Sequence, residues 1–483
     1  MRKHFFALFL IGLFFFNFLP YLNSDVKIWD EASYSLNAIE LSKGFENLLV
    51  NHRNGSLDLY SVKPPFVIFL QAISLKLFGV NEIALRLPNF LIVLINTISI
   101  YLIGFKLSKS RLTGLISIFV FLTTNLLFVQ HGFFSANLDV TLMFFSSSCQ
   151  FILFYYLIHE KEKIKINKYL FAFFFSISLG FLSKGVAAFF ILPGCIVLVF
   201  WKKNILRLLN FKSIIILVGV CVFPLIYYFI ADLYYPGYLA KVFSSEIMRS
   251  FDKNIGGQHN QPLFYYISSI PYHFNYYIYF SPIFIIFYRH FQNQKLIVYT
   301  GITVFMFFLT LSIFEFKAIW YLIPIIPTYS LFIGAISREF INYISKKIKY
   351  LSKVIILIIT ILFLVKPTLN IFEKLNKEVL WYNDVNENEG KFLNFLFQDG
   401  KINTNIFVLT KKKYPMTSQL DFYIEKIKSN SIYDVGKIST IPEQKMTNLV
   451  ICDPIDFKNV FQNYTVSIIT NNNQCWFVQA CSL

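Results

Sequence analysis

Long apolar runs separated by short basic segments set the pattern of this chain. Ile214 to Ile230 and Val354 to Val365 have no polar face, which suits a helix in lipid or inside a bundle rather than a one-sided soluble helix. Phe5 to Leu19 is similar, and Met1-Arg2-Lys3-His4 precedes it. No small-residue cleavage site follows, since Pro20-Tyr21-Leu22-Asn23 stands there. An uncleaved first helix with its N-terminus inside is therefore expected. Further apolar segments cover 83–105, 112–130, 140–158, 169–182, 186–201, 213–231, 263–288, 296–314, 318–336 and 354–365. Together they predict about eleven spans, or eleven to thirteen if the short ones are divided differently.

The loops orient these spans. Segments 106–111, 159–168, 202–212, 289–295 and 338–353 are rich in Lys and Arg, and parity from an inside N-terminus puts all of them inside. The outside set is then 24–82, 131–139, 183–185, 232–262, 315–317 and the tail. Within 24–82, Tyr34, Leu36, Ile39, Leu41 and again Phe66, Phe69, Leu70, Ile73, Leu77 recur at helical spacing, as in amphipathic helices at the membrane interface. Lys63-Pro64-Pro65 opens the second, where a proline costs no hydrogen bond. The tail changes character. Short strand-like runs at 406–409, 448–451, 466–469 and 476–478 alternate with helix-like segments and predict a small α/β domain. The expected division is a membrane domain over 1–367, including the outer interfacial loop 24–82, and an extracytoplasmic α/β domain over 368–483.

Composition supports this picture. Hydrophobic residues make up 56% of 483, with 58 Phe among them, more than a soluble core needs. The formal charge of +17 has no compact basic domain or RNA-binding signature behind it, so it reads as loop lysines facing anionic lipid rather than a nucleic-acid partner. Cys149, Cys195 and Cys221 fall in apolar runs and read as small core residues. Cys452, Cys475 and Cys481 in the tail allow one disulfide with one cysteine left over.

Asp30, Glu31, Lys63, Asp139, Lys184, Arg249, His259 and Lys317 all fall in the outside set. Each has a bland reading: Asp30, Glu31 and Asp139 as helix-start residues, Lys63 and Lys184 as snorkelling lysines, Arg249 and Lys317 as interface anchors, His259 as a solvated loop histidine. Charges are costly near a bilayer, so their shared sidedness points to a site. Carboxylates, cations and an imidazole opening at the outer interface suit a phosphate-bearing lipid, with cations on the phosphate and a carboxylate deprotonating an acceptor hydroxyl.

In this order the motifs resemble a known family. Trp29-Asp30-Glu31-Ala32-Ser33-Tyr34, Lys63-Pro64-Pro65, Leu77-Phe78-Gly79-Val80-Asn81-Glu82 and Arg86-Leu87-Pro88 look like the first outer loop of GT-C glycosyltransferases, nearest the family 39-like group. The group holds protein O-mannosyltransferases and the bacterial transferase that adds aminoarabinose to lipid A. Asn137-Leu138-Asp139, Leu182-Ser183-Lys184-Gly185, Arg249, His259-Asn260-Gln261-Pro262 and Lys317 with Tyr321-Leu322-Ile323-Pro324 continue the resemblance. It implies an α-helical polytopic membrane protein that takes a sugar from a polyprenyl-phosphate donor, without a nucleotide, on the non-cytoplasmic side of the plasma membrane. A lipid, glycan or protein hydroxyl would accept it, with inversion. By position it implies Asp30 as catalytic carboxylate and Asp139 as a second acid. Lys63, Arg249, Lys184 and Lys317 would bind the donor phosphate, with Glu31, Tyr34, Pro64 and Pro65 in support. His259 resembles a histidine that helps hold a divalent metal, although Ser61-Val62 stands where family members often have an acidic residue just before the Lys-Pro step. The competing expectations are a transporter or flippase of lipid-linked saccharides, which would place its polar residues near mid-membrane, and an inactive relative that only binds such lipids.

Overall fold

Helix α1 (Phe5–Phe18) is apolar on every side; Ala7, Ile11, Phe15 and Phe18 turn inward while Phe5, Phe6, Phe9 and Phe16 are exposed. Such exposure is intelligible only in lipid. The computed structural model describes residues 4–44, 48–129, 131–159, 166–201, 211–248, 251, 260–347, 368–369, 371, 373, 388–441, 446–472 and 474–482. Among these, six helical segments are long and apolar enough to cross a membrane, and three shorter apolar helices accompany them. The chain is a multi-pass, mostly helical membrane protein.

The segment 24–82 follows α1, with α2 (Asp30–Gly44), a hairpin of β1 (His52–Arg53) and β2 (Ser56–Leu57), and α3 (Phe66–Phe78). Helix α3 is one-sided as expected, burying Val67, Ile68, Ala72 and Leu75 and exposing Leu77 and Phe78. Helix α2 is not, because ten consecutive positions from Glu31 to Glu40 are, but for the last, buried. The C-terminal domain covers the face that would otherwise meet the interface.

Long helices come next. Asn81 caps α4 (Glu82–Ser108) by accepting from Ala84 N at 2.8 Å, the usual work of an Asn before a helix. Then come α5 (Arg111–Leu122), α6 (Asp139–Ile158) and α7 (Ile166–Lys184). At Gly185 the backbone takes φ +63°, a conformation that favours glycine. The chain folds back there, since Ala188 packs beside Gly180 and the Phe181 and Phe189 rings stand 6.0 Å apart. The apolar stretch 168–201 is therefore two arms joined by a turn, not one rod, with α8 (Leu192–Trp201) as the second. The span expected over 263–288 is broken into Tyr265–His273, which contains Pro271, a 3-10 stretch Asn275–Phe280 and Ser281–Phe287. Proline removes a backbone donor and interrupts the helix. The segment 354–365 lies outside the described residues. The long helices Gln294–Ile313 and Ile326–Lys347 close the bundle.

The tail forms a five-stranded mixed sheet in the order β4-β3-β5-β7-β6, with β3 (Ile406–Leu409), β4 (Val435–Ile438), β5 (Thr447–Ile451), β6 (Tyr464–Asn471) and β7 (Trp476–Ser482). Strand β3 runs parallel to β4 and β5, and β7 antiparallel to β5 and β6. Strand β4, short and centred on Gly436-Lys437, lacks the apolar run that marked the others. A Cys452–Cys475 disulfide leaves Cys481 free.

This domain is seated on the segment 24–82. From the helix Ser418–Asn430, the Tyr423 hydroxyl accepts from Val26 N and donates to Asp25 Oδ1, both at 3.0 Å. Lys426 donates to both Glu82 oxygens at 2.7 Å. One buried apolar cluster joins Val26, Ala32 and Ile39 to Leu396, Phe422 and Phe477.

Candidate functional site

Trp29 adopts φ +70°, a backbone state that an aromatic residue rarely takes and that needs support from its surroundings. Asp30 follows as the first residue of α2. The Trp29 carbonyl itself accepts from Ser33 N at 2.9 Å, so the backbone satisfies an amide that a capping side chain would otherwise take. The Asp30 carboxylate is left 38% exposed, facing His131 Nε2 at 3.9 Å. Its other neighbour is Tyr60, whose hydroxyl hydrogen-bonds to it. Partial burial, then the charge on Asp30, pushes the Tyr60 phenol well above its ordinary range, so it donates rather than ionises.

Behind Asp30 lies a buried polar chain. His131 Nδ1 meets Asp139 Oδ2 at 3.1 Å, and the Lys184 ammonium pairs with Asp139 Oδ1. The His131 ring stacks on Trp320, with centroids 4.3 Å apart and planes 9° from parallel. Lys184 also lies over the Tyr321 ring at 5.5 Å. Asp139 begins α6, Lys184 ends α7, and the tryptophan belongs to the 3-10 stretch Ile319–Ile325.

The Lys63-Pro64-Pro65 step closes one side. Pro64 packs against the Gly185 turn, and the Pro65 carbonyl accepts from Phe69 N at 2.8 Å to start α3. Asn51 Nδ2 donates to the Lys63 carbonyl at 2.9 Å, and the ammonium pairs with Glu246 in the helical turn Phe243–Met248. The rim toward the C-terminal domain is aromatic. Tyr60 and Tyr414 meet edge to face at 5.6 Å, and the Arg53 guanidinium lies 3.3 Å over the Tyr414 ring.

Glu31 points elsewhere. Arg86 clasps it through Nε at 2.8 Å and a terminal nitrogen at 3.2 Å, while Lys27 N and Ala136 N donate to it at 2.9 and 2.8 Å. Burial works against its charge, but the Arg86 guanidinium outweighs it and holds the carboxyl below the usual range. Lys317 is buried with its ammonium on the Gln261 carbonyl at 2.9 Å and on that of Phe314. Tyr34 is buried within the α2–α3 core. Arg249 and His259 lie outside the described residues. Thus Asp30, Asp139, Lys184, Lys63 and Pro64 come together, and Glu31 and Tyr34 serve the scaffold. His131, Tyr60, Glu246, Trp320 and Tyr414 went unnoticed in sequence, their partners being distant along the chain.

Among the described residues no three of His, Cys, Asp and Glu stand close enough to share a metal ion. Asp139 has both oxygens engaged by Lys184 and His131. His259, the residue expected to help hold a metal, lies outside the described residues.

Residues 62–228 match the family model of dolichyl-phosphate-mannose-protein mannosyltransferases. An uncharacterized protein of Aquifex aeolicus is 25% identical over 387 residues, 77% of this chain and 70% of its own length. The undecaprenyl phosphate-alpha-4-amino-4-deoxy-L-arabinose arabinosyl transferase of Wigglesworthia glossinidia brevipalpis is 31% identical over 130 residues, 27% of this chain and 23% of that protein. Among solved structures, ArnT from Cupriavidus metallidurans bound to undecaprenyl phosphate superimposes with a TM-score of 0.66 at 12% identity, covering 99% of this chain and 98% of that one. An Archaeoglobus fulgidus oligosaccharyltransferase gives 0.53 at 13%, covering 90% and 64%.

Proposed function

We propose that this chain, whose residues 62–228 match the mannosyltransferase family model and whose fold is that of ArnT, is a GT-C glycosyltransferase of the family 39-like group that moves a sugar from a polyprenyl-phosphate donor onto an acceptor hydroxyl, with inversion, at the outer face of the plasma membrane. The observation that carries this reading is Asp30: a carboxylate 38% exposed at the start of α2, facing His131 with the Asp139–Lys184 pair behind it, in a chain with six helical segments apolar enough to cross a membrane.

The chemistry follows from these groups. The donor already carries a good leaving group in its phosphate, so the demand falls on the acceptor, whose hydroxyl is a poor nucleophile until it loses its proton. Asp30 takes that proton as the oxygen bonds to the anomeric carbon and the carbon–phosphate oxygen bond breaks; the phosphate departs with the electron pair. General-base help of this kind contributes roughly 10²–10⁴-fold. Lys63 supplies the cation for the phosphate by exchanging Glu246 for the donor. Tyr60, Arg53 and Tyr414 line the acceptor's approach with aromatic faces and one cation. The polar groups gather at helix ends rather than mid-span, which favours transfer over transport.

The test is incubation of the purified protein in detergent with undecaprenyl-phosphate sugars and candidate lipid, glycan and peptide acceptors, with products read by mass spectrometry. No transfer from any of these donors would sink the proposal. Orientation is tested apart from activity, in a background with Cys481 replaced by serine. Ile432→Cys, almost fully exposed on the C-terminal domain, should react with an impermeant maleimide in intact cells while Lys346→Cys should not. The opposite labelling would turn the site inward.

A further inference from the structure

We propose that His131 is a positioning residue that orients Asp30 and returns it to its basic form after each transfer. This rests on the transfer reaction above and extends it. The imidazole is 5% exposed and lies between two carboxylates, one at each ring nitrogen. Trp320, stacked flat on the ring, leaves only the ring edges for hydrogen bonding. With Asp139 at 3.1 Å, Nδ1 carries the hydrogen and donates it; the Nε2 lone pair then faces Asp30. A histidine whose tautomer is set by one carboxylate while its other nitrogen serves a reacting group is a recurring arrangement in acid–base catalysis.

The 3.9 Å gap to Asp30 is longer than a direct hydrogen bond. Asp30 is the half-exposed partner, and a small torsional swing of its side chain closes the distance. The proton balance is complete. Asp30 receives the acceptor's proton and passes it to Nε2, giving an imidazolium and a free Asp30 carboxylate. The imidazolium then gives the proton to the departed phosphate or to solvent. Asp139 accepts from Nδ1 throughout, and Lys184 offsets its charge, so the imidazolium is stabilised without being trapped. Among the described residues, the charged and titratable groups around the ring are thus Asp30 from α2, Asp139 from α6 and, through Asp139, Lys184 from α7. Tyr60 acts on it only through Asp30.

The bland alternative is a packed histidine that holds the 131–139 loop. The variant His131→Asn separates the two, because its amide nitrogen replaces Nδ1 against Asp139 but supplies no base toward Asp30. We expect kcat to fall roughly ten- to a hundred-fold, within the range of acid–base help, with donor KM unchanged. The shape of the pH–rate profile should change as well, since the variant has no base to take the proton from Asp30. Should His131→Asn fail to yield folded protein, His131→Gln is measured in its place and judged by the same criteria. Wild-type kcat with an unmoved pH profile would overturn the proposal, as would losses of kcat and donor affinity in equal measure. If the wild-type protein itself turns over no polyprenyl-phosphate sugar, the transfer reading falls and the relay with it. Active wild type with an indifferent His131 variant removes the relay alone.

Discussion

Asp30 and Glu31 are neighbours in sequence and belong to two different kinds of charge network. Glu31 is buried with four donors on two oxygens, from Arg86, Lys27 and Ala136. Arg86 in turn reaches the Leu22 and Asp25 carbonyls at 2.9 Å. That network ties the end of α1, the start of α2, α4 and the loop before α6, and leaves Glu31 no capacity for a substrate. Around Asp30 the partners stand back. One imidazole nitrogen lies beyond hydrogen-bond length, one phenol donates, and the rest of the carboxylate is open. A saturated network stabilises a fold; an unsaturated one at an accessible edge leaves room for chemistry.

The sharpest way to break this comparison is to change each carboxylate to its amide. Asp30→Asn keeps shape and removes basicity, so turnover should fall by roughly 10²–10⁴-fold with thermal stability and donor binding unchanged. Near-normal turnover would mean that Asp30 only begins a helix and would make Asp139 the next carboxylate to test. Glu31→Gln should do something different. It leaves Arg86 charged, buried and without its counter-ion, and losing one partner of such a pair costs about 3–5 kcal/mol. Folded yield and melting temperature should drop before any kinetic constant is measurable. A well-folded Glu31→Gln with reduced turnover would erase the distinction between the two networks.

Lys63 gives a smaller effect. Its pairing with Glu246 joins the loop between α2 and α3 to the turn Phe243–Met248, and both are outside the long spans. Lys63→Met should cost donor affinity by about 1.5–3 kcal/mol, the worth of a charged hydrogen bond. Glu246→Gln should tighten donor binding, because it frees the ammonium. Donor affinity that ignores both substitutions would assign Lys63 to the loop's architecture.

Much of this was legible in the sequence for one reason: in a chain this apolar, each outward polar residue is conspicuous. Asp30, Lys63, Asp139 and Lys184 stood out because nothing around them needed charge, and the strands of the tail because apolar runs alternated with turn residues. What the sequence withheld was pairing. His131 is a single histidine in a short loop, and its meaning comes from Asp30, Asp139 and Trp320, which arrive from three separate elements. Glu31 looked like an ordinary first-turn acid because its partner Arg86 lies in α4, beyond the hairpin and α3. The region 263–288 looked like one span since its apolar content is continuous, although Pro271 was the signal of a break. The interfacial position expected for α2 failed to foresee a roof, the C-terminal domain, that no local pattern could announce.

The smallest expected effect concerns pH, and it sharpens the comparison from the stability side. Arg86 holds the Glu31 carboxyl below its ordinary range despite burial, whereas an unfolded chain would give it a value near ~4.3. A carboxyl depressed on folding contributes stability that is complete above the unfolded value and is lost as pH falls through the folded one, because the unfolded state then binds the extra proton. Melting temperature in detergent should therefore be flat in this respect near neutrality and decline as pH drops below ~5. Glu31→Gln has no proton to take up at that position, so part of this acid-side slope should vanish in the variant even though its neutral-pH stability is lower. An acid-side slope that persists unchanged in Glu31→Gln would mean that the Arg86 pair is not what acid dissolves, and that the saturated network is less central to the fold than its geometry argues.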